Sequence, residues 1–181
     1  QKPVTIAQFK TMAAKPENAP PPPPSAAGEG GRSSRGDAKD DDEYGWIEKR
    51  YWQGFLHKPA VYGSDNHSHT LFEECAGEWN LSALPTMLRE RIRYKMPGIN
   101  SPYLYMGMWR ACFCWHVEDM DLYSINFLHW GEPKLWYAVD ASHSQRMESM
   151  ACALHPTLAL ECKQFLRHKG TMISPSHVVN A

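Results

Sequence analysis

The sequence predicts a mainly β fold with helical decoration, of the small barrel or jelly-roll kind. Three observations carry that reading. Four short aromatic or β-branched runs crowd residues 103–139 and are separated by turn signals such as Gly131-Glu132-Pro133. Two stretches with helical spacing follow them, between residues 142 and 168. All seven Trp lie between Trp46 and Trp136, so the aromatic mass belongs to the same region as the strand candidates. Many short strands followed by helices are the pattern of a closed or double-sheet β architecture.

Taken in order, residues 1–14 form a short mixed segment. Residues 15–43 run through six Pro between Pro16 and Pro24, then Gly, Ser and Arg, then Asp40–Glu43, with no aromatic between Phe9 and Tyr44. Such composition cannot bury enough apolar area to offset the entropy of ordering, so it is expected to be a disordered linker. Residues 44–181 are expected to be the globular part. Trp46–Phe55 reads as a helical turn leading to a short strand at Ala60–Tyr62. Ser82 is expected to cap a helix that runs through Lys95 and stops at Pro97-Gly98. Tyr103–Trp109, Cys112–His116, Leu122–Trp130 and Lys134–Val139 are the strand candidates. Ser142 is expected to cap a helix whose Met147, Met150, Ala151 and Leu154 share one face, the Met filling core rather than holding a cofactor. A second helical stretch spans about Leu158–His168.

Composition excludes several function classes. With 181 residues, 19 Lys+Arg and 20 Asp+Glu, the formal net charge is −1, which does not suit a binder of nucleic acid acting through bulk charge. No apolar run is long enough to cross a membrane. No signal peptide is expected, and the chain reads as a fragment. Five Cys at irregular spacing do not form a disulfide framework. Nine His in this length direct attention to metal chemistry.

His116-Val117-Glu118 puts an imidazole and a carboxylate on one face of a strand. With a His from elsewhere, such a pair makes the facial triad of non-haem Fe(II) oxygenases. The spacing alone is weak, because 9 His among 20 acids in 181 residues yield about one His-x-acid by chance. Asn126 and Lys134 stand on the next two strand candidates. An acidic co-substrate needs a fixed cation for its distal carboxylate and an amide near the metal. Each has an ordinary alternative: Lys134 as an edge-strand residue with its head in water, and Asn126 as a satisfied core amide. Phe113 and Trp136 serve equally as walls of such a site or as plain core.

The run Asn100-Ser-Pro-Tyr-Leu-Tyr105, then GMWRACFCWHVEDMDLYSINFLHWGEPKLWYAV, then FLRHKGTMISP, resembles the JmjC-domain histone lysine demethylases, most closely the group with a JmjN segment ahead of the JmjC domain. The likeness runs from about Glu48 to Ser176, interrupted at 66–70 and 89–96. The opening QKPVTIAQFKTMA resembles the connection between JmjN and JmjC. The resemblance implies a double-stranded β-helix and an Fe(II)- and 2-oxoglutarate-dependent dioxygenase that hydroxylates N-methyl groups of histone lysine, of histone H3 in its tri- or dimethylated form, with release of formaldehyde. It implies His116 and Glu118 as iron ligands and catalytic residues. Tyr62, Asn126 and Lys134 would hold 2-oxoglutarate, with Phe113 and Trp136 beside it. Gly98, Tyr105 and Glu118 would line the methyl-ammonium cage, with Tyr103 as a peptide contact. Histone tail and nucleosome are the implied partners, and the nucleus the implied location.

The sequence also departs from that family. Pro97 replaces the acidic residue ahead of the cage glycine. None of His129, His143, His155, His168 or His177 stands where the family has its distal iron ligand, so the chain as given is expected to be inactive. A JmjC-type scaffold that binds chromatin without turnover is the alternative function. A cupin-like metal hydrolase fits less well, since Asn126 and Lys134 suit an oxo-acid better than an activated water. Finally, the resemblance makes Cys162 and His168 half of a structural zinc site; alone, they read as a core thiol and a surface imidazole.

Overall fold

The computed structural model describes residues 3–22, 41–54 and 59–179. The chain forms two compact units, Gln1–Cys112 and Phe113–Ala181. In the first, α1 (Ile6–Ala13) starts with a capping box. The Thr5 hydroxyl accepts from the Gln8 amide at 3.2 Å, and the Gln8 side chain accepts from the Thr5 amide at 2.9 Å. Pro16–Asn18 add one 3-10 turn. Most of the expected linker, residues 23–40, lies outside the described residues. Helix α2 (Asp41–Gly54) begins before the helical turn expected at Trp46. It sets Tyr51 edge-on to Trp109, with ring centroids 6.0 Å apart.

The helix expected from Ser82 to Lys95 is instead a 3-10 turn at Leu81–Ala83 followed by α3 (Met87–Arg91). Pro85 is the reason. It has no amide hydrogen and forces the residue before it out of the helical region, and Leu84 is extended at φ −54°, ψ 130°. The caps are accordingly Asn80, which accepts from the Ser82 amide, and Thr86, which accepts from the Arg89 amide.

Strands β1 (Tyr62–Asn66) and β2 (Leu104–Gly107) pair antiparallel, with Tyr62 opposite Gly107, Gly63 opposite Met106 and Asn66 opposite Leu104. Three steps along β1 therefore face two along β2, which is a one-residue bulge at Ser64-Asp65. The strand expected at Ala60–Tyr62 begins only at Tyr62, and β2 lies within the expected Tyr103–Trp109 run.

The second unit packs on Ala151, Phe165 and Ile173, which are 0%, 4% and 3% exposed. Trp115, Met147, Met150, Cys162, Leu166 and Val178 close around them. Helix α4 (Ser144–Leu154) supplies Met147, Met150 and Ala151 from one face, as its spacing requires, while Leu154 stays partly exposed. Asp140, rather than Ser142, caps the turn leading into α4, accepting from the Ser142 amide at 2.8 Å and its hydroxyl at 2.6 Å. Those bonds favour the ionised carboxylate and hold its pKa below the usual Asp value. Helix α5 (Pro156–Glu161) and a 3-10 turn at Phe165–His168 replace the single stretch expected at 158–168. The unit ends with α6 (Pro175–Val179).

The mainly β expectation is not met among the described residues, where β1 and β2 form a two-stranded sheet and the runs Cys112–His116, Leu122–Trp130 and Lys134–Val139 carry no ladder. Alternation of side chains marks which face would be buried but supplies no ladder partner, and a strand needs one. Met120, Asp121 and Gly131 all take positive φ, which interrupts extended chain between the runs. Tyr123, Ile125, Leu135 and Trp136 remain largely exposed.

Candidate functional site

The second unit brings six of the singled-out residues into one neighbourhood. Trp115 anchors it: its ring packs against the core cluster and its indole N–H donates to the Ile173 carbonyl at 2.9 Å. That fixes the backbone immediately before His116. The His116 ring then reaches back, with Nδ1 2.8 Å from the Cys114 carbonyl oxygen. A carbonyl can only accept, so Nδ1 carries a proton, and the neutral ring in this tautomer has its lone pair on Nε2. Nε2 faces Glu118 Oε1 at 3.9 Å. Backbone hydrogen bonding of one ring nitrogen that leaves the other free is the usual arrangement of a metal-binding imidazole. At bond lengths of about 2 Å, donors 3.9 Å apart would stand nearly opposite each other across a cation, so the cis arrangement of a facial triad requires this pair to draw closer. Among the described residues no third His, Cys, Asp or Glu joins them, so the pair supplies the donor types of an iron triad and does not enclose a metal.

Beside this pair stands the ammonium of Lys134. Lys134 Nζ donates to Asn126 Oδ1 at 3.3 Å. It lies 5.6 Å from the Phe113 ring centroid and 5.7 Å from that of Trp136, and those two rings are tilted together at 5.0 Å. Phe113 in turn sits edge-on to His116 at 5.6 Å. Burial lowers the Lys134 pKa, because desolvation disfavours the ammonium. Among the described residues no carboxylate pairs with it. The neighbourhood is therefore a polar amide and an ammonium between two aromatic faces, next to a two-donor metal half-site.

The first unit gathers the remaining candidates. Met96-Pro97-Gly98-Ile99 is a type II turn: the Ile99 amide donates to the Met96 carbonyl at 3.0 Å, Pro97 takes the second position, and Gly98 has φ +80°. Asn100 braces it, accepting from the Met96 amide at 2.7 Å and donating to the Tyr94 carbonyl at 2.9 Å. Gly98 lies directly under the Tyr103 ring, where any Cβ would collide. Tyr103 meets Tyr105 edge-on at 6.1 Å, and Tyr105 stacks on Tyr62 at 5.9 Å. Burial and the nearby Asp65 raise the Tyr62 pKa and push that of Tyr105 up to about 12. Both phenols are thus neutral donors over the physiological range. Sequence reasoning missed Asp65, whose hydroxyl partner is named only by the bulge, and missed the Trp115 anchor.

Cys162 packs partly buried against the core, and His168 ends the 3-10 turn after it. No group of three or more metal donors includes them among the described residues.

These features define a two-donor half-site beside an ammonium held by an amide and two aromatic rings. Residues 103–181 match the family described as "JmjC domain, hydroxylase", and this part of the chain is JmjC sequence. The resemblance read from the motifs is thereby shown, and it implies a cupin-like jelly roll for these residues. The chain is 49% identical over 133 residues to the "Probable lysine-specific demethylase 4F" of Homo sapiens, which covers 72% of this chain and 21% of that protein. It is 45% identical over 133 residues to "Lysine-specific demethylase 4D" of Rattus norvegicus, covering 72% and 26%. Against "Lysine-specific demethylase 4B" of Mus musculus it is 44% identical over 132 residues, covering 71% and 12%. The chain thus spans between about an eighth and about a quarter of the length of these curated relatives.

Proposed function

We propose that this chain is the iron- and co-substrate-bearing part of a nuclear histone lysine demethylase that oxidises N-methyl groups with O2 and 2-oxoglutarate. The supporting observation is the Lys134 ammonium, held by Asn126 and two aromatic faces with no carboxylate partner among the described residues, beside the His116–Glu118 pair. Fe(II), when bound, supplies the redox centre at which O2 and 2-oxoglutarate become an oxidant, succinate and CO2. His116 Nε2 and Glu118 would hold it. Lys134 neutralises the distal carboxylate of 2-oxoglutarate, Asn126 donates to the co-substrate near the metal, and Phe113 and Trp136 pack beside it; the family resemblance gives Tyr62 a role in holding the same co-substrate. The family resemblance gives Gly98 and Tyr105, and separately Glu118, roles toward the methylated ammonium, and Tyr103 a contact with the peptide. One oxygen atom enters the N–CH3 group to give N–CH2OH, whose C–N bond then breaks to free formaldehyde and an amine one methyl poorer. That route needs no lone pair on nitrogen, so tri- and dimethyl-lysine of histone H3 are both substrates, presented on the nucleosome.

Residues 1–14, 15–43 and 44–181 serve in this reading as connection, linker and catalytic part. Cys162 and His168 contribute two ligands of a structural zinc. With two iron ligands the chain by itself is inactive, and turnover belongs to a longer chain with a third. The test is formaldehyde released from a trimethyl-lysine peptide by such a chain in the presence of Fe(II) and 2-oxoglutarate. Release that stops without 2-oxoglutarate supports the proposal. Peptide binding with no formaldehyde from a chain that carries a third ligand favours the scaffold alternative.

A further inference from the structure

A regular ladder through Tyr62–Gly107 and Gly63–Met106 would continue with residue 64 opposite Tyr105 and residue 65 opposite Leu104. Residues facing each other across a ladder share a face, so Asp65 would then stand with Gly63 and Met106, on the side away from Tyr105. The bulge changes this. Asn66 takes the place opposite Leu104, and both Ser64 and Asp65 come to oppose Tyr105. Asp65 has φ +58°, a left-handed conformation that Asp and Asn accept more readily than other non-glycine residues. Its carboxylate now accepts the Tyr105 hydroxyl hydrogen at 3.4 Å. Tyr62 closes the other side of the Tyr105 ring by stacking, and Tyr103 meets it edge-on. The ring is flanked by these two aromatics, and rotation of its O–H is set by Asp65.

We propose that Asp65 is a positioning residue: by taking the Tyr105 hydroxyl hydrogen it turns the hydroxyl's lone pairs outward, toward a cationic methylated ammonium. This rests on the reading of Tyr105 as part of the methyl-ammonium site. A rotating hydroxyl presents its hydrogen to a cation part of the time; one bonded to a carboxylate presents oxygen alone. The carboxylate also adds negative charge behind the phenol and, after burial, which is the larger cause, helps keep that phenol protonated, with Tyr62 and Tyr103 as the other titratable groups facing it.

The test uses the chain labelled with 13C at the Tyr ζ carbons, Tyr105 being identified by the signal lost in Tyr105→Phe. Asp65→Gly removes the carboxylate without straining the left-handed backbone. Asp65→Asn removes the charge but keeps an oxygen acceptor. The wild-type Tyr105 titration is expected to centre at about 12, and in both variants to move down toward the ordinary phenol value of about 10. A second measurement compares binding of a trimethyl-lysine peptide with the same peptide bearing unmodified lysine. Asp65→Gly is expected to lose most of the preference for the methylated peptide, and Asp65→Asn to regain it, because the amide oxygen still orients the hydroxyl. A loss of fold would not be rescued by that one-atom change. A Tyr105 titration unmoved in both variants overturns the proposal, as does full preference in Asp65→Gly. A wild-type chain with no preference for the methylated peptide rejects the demethylase reading, while the titration still decides whether Asp65 controls Tyr105.

Discussion

Replacing Lys134 with Met tests the co-substrate half of the site, because the two side chains have similar length and only one is charged. Truncating a buried, hydrogen-bonded charge partner costs roughly 2–5 kcal/mol of binding. Lys134 is only partly buried, and solvent on its open side screens the pair. The expected loss is therefore at the lower end, about 2–3 kcal/mol, or about 30- to 160-fold in the Kd for 2-oxoglutarate. The unliganded protein should respond in the opposite sense. Burial already disfavours the ammonium, so Met removes a desolvation cost and loses one hydrogen bond to Asn126, worth about 1 kcal/mol. Near-unchanged thermal stability with a large loss of 2-oxoglutarate affinity is the result expected, read by calorimetric titration under anaerobic conditions with Fe(II) alongside a melting curve. Lys134→Arg is expected to recover only part of the affinity, since a planar fork does not fit a slot between two rings shaped for a compact ammonium. A change in Kd of less than threefold in Lys134→Met would refute the reasoning and return this Lys to the role of an edge residue.

Phe165→Ala removes a 4%-exposed ring from the centre of the second unit and is expected to cost about 3–5 kcal/mol by chemical denaturation, against about 0.5–1.5 kcal/mol for Ile173→Val; equal effects would contradict the assigned core. Tyr105 carries a folded-state pKa above its unfolded value, so its neutral form stabilises the fold fully below about pH 10, and that contribution is lost as pH rises through about 12. Tyr105→Phe should flatten this alkaline decline, and a decline identical in the variant would exclude the assignment. For zinc, Cys162→Ser and His168→Ala should each remove one metal per chain from a longer protein that supplies two further donors. Zinc content indifferent to both leaves them as a core thiol and a surface imidazole.

Local chemistry was legible in the sequence wherever a single residue type enforces it. Pro97-Gly98, read as a helix stop, forms a turn well after α3 has ended at Arg91, while the spacing of Met147, Met150 and Ala151 named the buried face of α4. The aromatic run gave β2. Helix ends were read less well, because Ser82 and Ser142 compete with nearby Asn80, Thr86 and Asp140 as caps and composition does not rank them. Ladders were not legible, because alternation says which side chains share a face and nothing of which chain lies alongside. In the candidate site, Lys134, Asn126, Phe113 and Trp136 were named from their positions and resemblance, and the structure gathers them. Asp65 escaped notice because its role depends on a one-residue slip of register that leaves no mark in a sequence of polar residues.

The most direct test of the central claim is metal-dependent binding of 2-oxoglutarate to the His116–Lys134 neighbourhood, measured by titration with Fe(II) under anaerobic conditions in wild type, His116→Ala and Glu118→Ala. The account requires that 2-oxoglutarate bind the wild type more tightly with Fe(II) than without, and that either substitution abolish this gain while the melting temperature stays near its original value. Fe(II)-dependent tightening that survives the loss of both His116 and Glu118 would contradict it.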